Sequence, residues 1–156
     1  MPKPAAPSDT VAAEETGIQS AAAESEFGLL KVLEDGCQLE LRLDCPPHGP
    51  QTLEVFLSDT AVIDPAQRGI LREIIAEWPA IWTAVKKAWF REYPRDREII
   101  TDQWEWVLDA EIASGKTIAE EFEGDPIWRL SVSGNAASTV LALMMEGPDI
   151  LDAELL

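Results

Sequence analysis

The sequence predicts an α+β domain with a single antiparallel sheet. Three strands come from the N-terminal part and two or three from the C-terminal part, with a kinked long helix and a second helix packed on one face. Three observations predict it. Residues 37–45 alternate apolar and polar without error, the period of a half-buried strand. Apolar positions between residues 70 and 89 recur at spacings of three and four, the period of a helix. Alternation then returns at residues 128–132, so strands bracket a helical middle.

Taken in order, residues 1–25 are rich in Ala, Pro, Ser, Thr and Glu, with Val11 and Ile18 as the aliphatic exceptions. Such a segment buries too little apolar area to offset its ordering entropy. It is expected to be a disordered tail with at most a transient helix near residues 21–23, leaving residues 26–156 as one domain. Residues 27–33 read as a first strand, and Glu34-Asp35-Gly36 as a hairpin turn. In the second strand Cys37, Leu39, Leu41, Leu43 and Cys45 face one way and Gln38, Glu40, Arg42 and Asp44 the other. The Pro46–Pro50 loop ends it, and Leu53, Val55 and Leu57 resume the alternation in a third strand.

Asp64-Pro65 marks a helix start, with a capping carboxylate before proline at the first position. Ile70, Leu71, Ile74, Ile75 and Trp78 form its stripe, which resumes as Ile81, Trp82, Val85 and Trp89. Pro79 between them is expected to kink the helix or open a second one. Pro94 ends it. In residues 97–113, Ile100, Trp104, Val107, Leu108 and Ile112 fit a helical face with a stop at Ser114-Gly115, although Trp104, Trp106 and Leu108 also fit a strand. Helix is the preferred reading. Residues 117–123 fit either a helical turn or a strand. Trp128, Leu130 and Val132 alternate in the next strand, and Gly134-Asn135 supplies a turn. Residues 138–145 are nearly all apolar and read as a central strand covered on both faces. Gly147-Pro148 turns into a short edge strand at 150–155.

At 156 residues the chain is one domain by length. Twelve basic residues face 29 acidic ones, a net charge of −17. That balance repels polyanions, so nucleic acid and anionic lipid are poor partners, whereas a basic protein is attracted. No stretch approaches the roughly 20 apolar residues that span a bilayer. The first residues lack the apolar core of a signal peptide, and a cytoplasmic location is expected. Cys37 and Cys45 lie eight strand positions apart, about 26 Å. That is far beyond disulfide reach, so both are expected as buried free thiols.

The equipment for chemistry is sparse. His48, the one histidine, sits in the Pro-rich loop and reads as a surface residue, which leaves a serine or cysteine nucleophile without a base. Phosphate-binding glycine patterns are missing. Ser114-Gly115-Lys116-Thr117 lacks the upstream glycine of a P-loop. Glu120, Glu121, Glu123 and Asp125 are the densest acidic cluster. They are read foremost as a solvated face and next as a docking surface for a basic partner. In a strand, Glu121, Glu123 and Asp125 would share one side, the arrangement a hard cation or acid–base work would need. Residues 98–156 hold 13 acids against Lys116 and Arg129, a balance of −11, whereas Lys86, Lys87, Arg91, Arg95 and Arg97 gather at the end of the long helix. Trp78, Trp82 and Trp89 belong to the core face of that helix. Trp104 and Trp106, two apart, cannot share a helical face, which makes Trp106 the candidate exposed interface residue.

This layout resembles small acidic bacterial domains that accompany polymorphic toxins as their immunity proteins. The matching pieces are the strands at 37–45 and 53–57, the helix opened by Asp64-Pro65, and the closing strands at 128–132 and 140–145, together spanning about residues 27–155. The resemblance implies inhibition by occlusion, an acidic surface covering a toxin's basic active site, and carries over no individual residues. The expected function is therefore a non-enzymatic, acidic protein-binding domain without cofactor, its oligomeric state left open. The alternatives are an acidic export chaperone, although those usually open with a helix, and a carboxylate- or metal-dependent hydrolase.

Overall fold

The computed structural model describes residues 22–96, 105–134 and 139–156. Within them one eight-stranded sheet runs in chain order: β1 (Ala22–Ser25), β2 (Gly28–Leu33), β3 (Gly36–Asp44), β4 (Pro50–Ser58), β5 (Trp106–Ile112), β6 (Ile127–Gly134), β7 (Leu141–Glu146) and β8 (Asp149–Leu155). The long helix α1 (Pro65–Glu92) lies between β4 and β5, and the short helix α2 (Gly115–Glu121) between β5 and β6. The α+β class is as the sequence predicts, with more strands than expected.

The sheet is mixed rather than purely antiparallel. β4 and β5 are parallel, with Leu53 opposite Leu108 and Leu57 opposite Ile112, while every other neighbouring pair is antiparallel. The helix makes this possible. A parallel pair needs a long crossover to carry the chain back to the starting end of the sheet, and α1 is that crossover. The preferred helix for residues 97–113 is thus corrected to a strand over its described end, residues 97–104 lying outside the described region. Leu108 and Ile112 satisfy both periods, which made the segment ambiguous. Burial separates the two: Trp106, Leu108, Ala110 and Ile112 are buried, whereas Val107 is 56% exposed. A helical face would have covered Val107.

One side of the sheet packs on α1. Cys37, Leu39, Leu41, Leu43 and Cys45 are all buried, as their alternation requires, and both cysteines are free thiols. α1 opens as expected. Asp64 Oδ1 accepts from the Gln67 amide at 2.8 Å, and the Gln67 side chain accepts from the Asp64 amide at 3.1 Å, a capping box with Pro65 in the first turn. Gln67 is fully buried and satisfied, since its Nε2 also donates to the Ile112 carbonyl. Pro79 neither stops nor divides the helix, which is continuous to Glu92. Its side chain is exposed, as is Ile75 one turn before. The carbonyl that a proline deprives of its amide partner therefore lies on the watered side.

Three further expectations change. Ser114-Gly115 starts a helix instead of stopping one: Ser114 Oγ accepts from the Thr117 amide and caps α2, which settles residues 117–121 as helical. β7 is flanked by strands on both edges but covered on one face only, with Ala142 and Met144 half-buried on the other. Residues 22–25, assigned to the tail, pair with β2, while residues 1–21 lie outside the described region, as does Asn135 of the predicted Gly134-Asn135 turn. At Gly36 a Cβ would stand 2.3 Å from the Leu57 carbonyl oxygen, so glycine there serves close strand approach.

Candidate functional site

The five described tryptophans are core residues, and each indole N–H has an acceptor. Trp78 donates to the Asp44 carbonyl, Trp82 to the Pro46 carbonyl, Trp89 to Asp96 Oδ2, Trp106 to His48 Nδ1 and Trp128 to the Gly147 carbonyl. This overturns the expectation for Trp106. It is 5% exposed and stands edge-on to Trp82 and Trp89, with ring centroids at 5.0 and 5.8 Å. The alternation of β5 turns it inward, so it offers no surface to a partner. Trp104 lies outside the described residues.

His48 is half-buried against this cluster instead of standing at the surface. Burial first, and then the charge of Lys86, hold its imidazole below the ordinary value. Its Nδ1 is an acceptor for Trp106, so the neutral ring carries its proton on Nε2. Lys86 donates to the Pro46 carbonyl and lies 5.7 Å from the Trp82 ring centre. One member of the basic group thus fastens the Pro46–Pro50 loop onto α1, and Arg91 occupies the last turn of the helix, where a cation complements the helix dipole.

The predicted acidic cluster is exposed, but not in a strand. Glu120 and Glu121 end α2, while Glu123 and Asp125 sit in the following turn, where Glu123 takes a positive φ of 55°. Glu121, Glu123 and Asp125 therefore share no strand face. Among the described residues no three His, Cys, Asp or Glu side chains gather as a metal site. Glu121 alone of the four lines a groove, of about 340 Å³, together with Phe56, Glu111, Phe122 and Arg129.

That groove leads onto the larger feature, the side of the sheet turned away from α1. Register aligns two rows of side chains across β3 to β8. One reads Glu40, Glu54, Asp109, Ser131, Ala142, Glu154. The other reads Gln38, Phe56, Glu111, Arg129, Met144, Asp152. Six of these positions are carboxylates and one is a guanidinium. Half-buried Phe56 and Met144 add apolar surface between them. An open groove of about 530 Å³ runs along the face between Phe56 and Leu156.

Glu40, Glu54 and Asp109 are direct cross-strand neighbours. Like charges directly opposite one another oppose strand pairing. Gln38 Nε2 offers Glu54 a single hydrogen bond of 3.3 Å. The surrounding strands bury Asp109 enough to push its carboxyl above the usual carboxylate value, although the side chain still reaches water.

The alternation of β3 announces Glu40 in the sequence. Glu54 could have been found the same way in β4, but Asp109 and Glu111 required the strand reading of residues 106–112. No described helix is long and apolar enough to cross a membrane. Comparison with family models, curated proteins and solved structures gives no match for this chain.

Proposed function

We propose that this chain is a non-enzymatic cytoplasmic binding domain that neutralises or escorts a basic protein, in the manner of immunity proteins that cover a toxin's active site. The observation that carries the reading is the carboxylate row Glu40–Glu54–Asp109 on the exposed side of the sheet, where acids outnumber the flanking Arg42 and Arg129. Like charges set directly opposite one another disfavour strand pairing, and an oppositely charged partner would relieve that on binding. The exposed acids Glu120, Glu121, Glu123 and Asp125 extend the same sign of potential around the end of α2. Such a field accelerates association and makes it sensitive to salt.

The test is association kinetics with a protein captured on the immobilised chain at low ionic strength and then purified. Charge reversal by Glu54→Lys with Glu111→Lys, and separately by Glu121→Lys with Glu123→Lys, should slow association, and added salt should slow the native pair. On-rates unchanged at low salt in both variants refute the reading.

A second reading, a carboxylate-dependent hydrolase, draws on the pairing of Glu54 with Asp109, whose carboxyl burial shifts upward, since acid–base work uses two carboxyls in unlike environments. Hydrolysis of generic ester, glycoside or phosphoester substrates that is abolished by Asp109→Asn would favour it over binding.

A further inference from the structure

β8 closes one side of the sheet, and no described strand pairs with its outer edge. The direction of its backbone groups follows from one pair. Leu156 and Val140 exchange both amide hydrogen bonds. Antiparallel ladders alternate bonded and non-bonded pairs, so Glu154 and Asp152 spend their backbone groups on β7. The N–H and C=O groups of Ala153 and Leu155 therefore point away from the sheet.

The side chains along this edge have two characters. Asp152 and Glu154 lie on the acidic outer face, each at the end of one of the two rows. Ala153 and Leu155 lie on the opposite face and are both exposed, Leu155 at 42%. Two devices that discourage indiscriminate pairing are present on this edge, charged side chains and a register shift at Met144–Met145. Here the apolar positions are left open and the charges are of one sign.

A second copy of the chain does not suit this edge. Antiparallel pairing of two β8 strands with Ala153 opposite Leu155 sets Glu154 against Glu154. Pairing Ala153 with Ala153 sets Asp152 against Glu154. Either register opposes carboxylates, which is unfavourable, and pairing Leu155 with Leu155 avoids this only by shrinking the overlap to Glu154, Leu155 and Leu156. The complement of the edge is an extended segment with Lys or Arg at alternate positions, beside Asp152 and Glu154, and aliphatic residues between them, beside Ala153 and Leu155.

We infer that β8 takes up an extended, alternately cationic and aliphatic segment of the partner as an added strand. Main-chain hydrogen bonds to Ala153 and Leu155 supply affinity, and the flanking side chains supply selectivity. This rests on the reading of the chain as a binder of basic proteins, and names the segment and the edge.

The test uses the full chain and a synthetic peptide alternating lysine and valine, with a control peptide of the same composition in which all lysines precede all valines. Binding is followed by fluorescence anisotropy and by amide exchange in NMR. The alternating peptide should bind about tenfold or more tightly than the block peptide. It should slow exchange at the Ala153 and Leu155 amides, with those of Asp152 and Glu154 already slow. Ala153→Pro removes an outward amide that β7 does not use, a position where edge strands tolerate proline. It should weaken the alternating peptide about tenfold while leaving thermal unfolding nearly unchanged. Asp152→Asn with Glu154→Gln should weaken binding and flatten its salt dependence.

Equal, salt-sensitive binding of both peptides, indifferent to Ala153→Pro, overturns strand addition and leaves the acidic-surface reading standing. Ala153 and Leu155 amides already protected in the free chain also overturn it, because the edge is then filled by the chain itself. Absence of salt-sensitive binding for either peptide counts against both. The exchange measurement on the native chain decides the matter even if a variant fails to fold.

Discussion

Trp106→Ala tests most directly whether the aromatic cluster holds the molecule together or serves a partner. The side chain is 5% exposed and faces four aromatic rings, with centroids at 5.0 Å from Trp82, 5.8 Å from Trp89, 6.2 Å from His48 and 6.5 Å from Phe90. Truncating a buried tryptophan costs about 3–5 kcal/mol. Loss of the hydrogen bond to His48 Nδ1 and of the edge-on contacts places Trp106 toward the upper end of that range. Against a typical domain stability of about 5–15 kcal/mol, the variant loses about a third or more. With a urea slope of about 2 kcal/mol per molar, the unfolding midpoint falls by about 2 M. Trp106→Phe keeps most ring contacts and loses the N–H, and should cost about 1–3 kcal/mol. Equilibrium urea unfolding followed by circular dichroism measures both. A loss below about 0.5 kcal/mol for Trp106→Ala, the scale of an uninvolved surface position, would refute the core assignment, and the more so if partner association slowed.

Three other outcomes follow from local geometry. Unfolded His48 binds its proton near the ordinary value of about 6.5, above the lowered value of the folded state. Its contribution to stability is therefore full above that pH and is lost as pH falls from about 6.5 toward the folded value. The native melting temperature should drop more than that of His48→Gln across this window, and parallel curves would remove His48 as the cause. Asp64 caps α1 through Oδ1 and accepts the Gly115 amide through Oδ2 at 2.7 Å. Asp64→Ala should cost about 2–3 kcal/mol, more than the roughly 1 kcal/mol of a single cap, with Asp64→Asn losing less; a chemical-denaturation loss under about 1 kcal/mol would mean the second bond contributes nothing. Burial raises the Cys45 thiol to about 11 and moves Cys37 upward as well, so Ellman's reagent should modify both only after unfolding. Prompt reaction of the folded chain would contradict their burial.

Much of the architecture was legible because single positions met two criteria at once. β3 shows strict alternation bounded by Gly36 and the prolines. α1 joins a capping pair to a stripe, and its buried side follows that stripe except at exposed Ile75. Reading failed where local signals compete. Leu108 and Ile112 suit a helix and a strand equally, and the arbiter, the pairing of β5 between β4 and β6, is non-local. Ser114-Gly115 can close one helix or open another; the structure opens one with the Ser114 cap, joined by the Gly115 amide bonded to distant Asp64. The candidate surface suffered the same way. Glu120, Glu121, Glu123 and Asp125 stand out because they are neighbours in the chain. Glu40, Glu54 and Asp109 are neighbours only through strand register, which no linear pattern displays. Trp106 was assigned to the outside because its helical alternative placed it there.

The parallel junction of β4 and β5 also governs the order of assembly. Every other seam joins successive strands through a shorter connection, the longest of which carries α2 between β5 and β6. Leu53 and Leu108 stand 55 positions apart in the chain, with α1 between them, and the entropy of closing that loop must be lost before the contact returns anything. Two independent ribbons, β1–β4 and β5–β8, are then expected to zip early and to wait for the helix to draw them side by side. Slowed refolding with little change in unfolding rate for Leu53→Ala and Leu108→Ala would place that junction at the barrier; accelerated unfolding alone would place it afterwards.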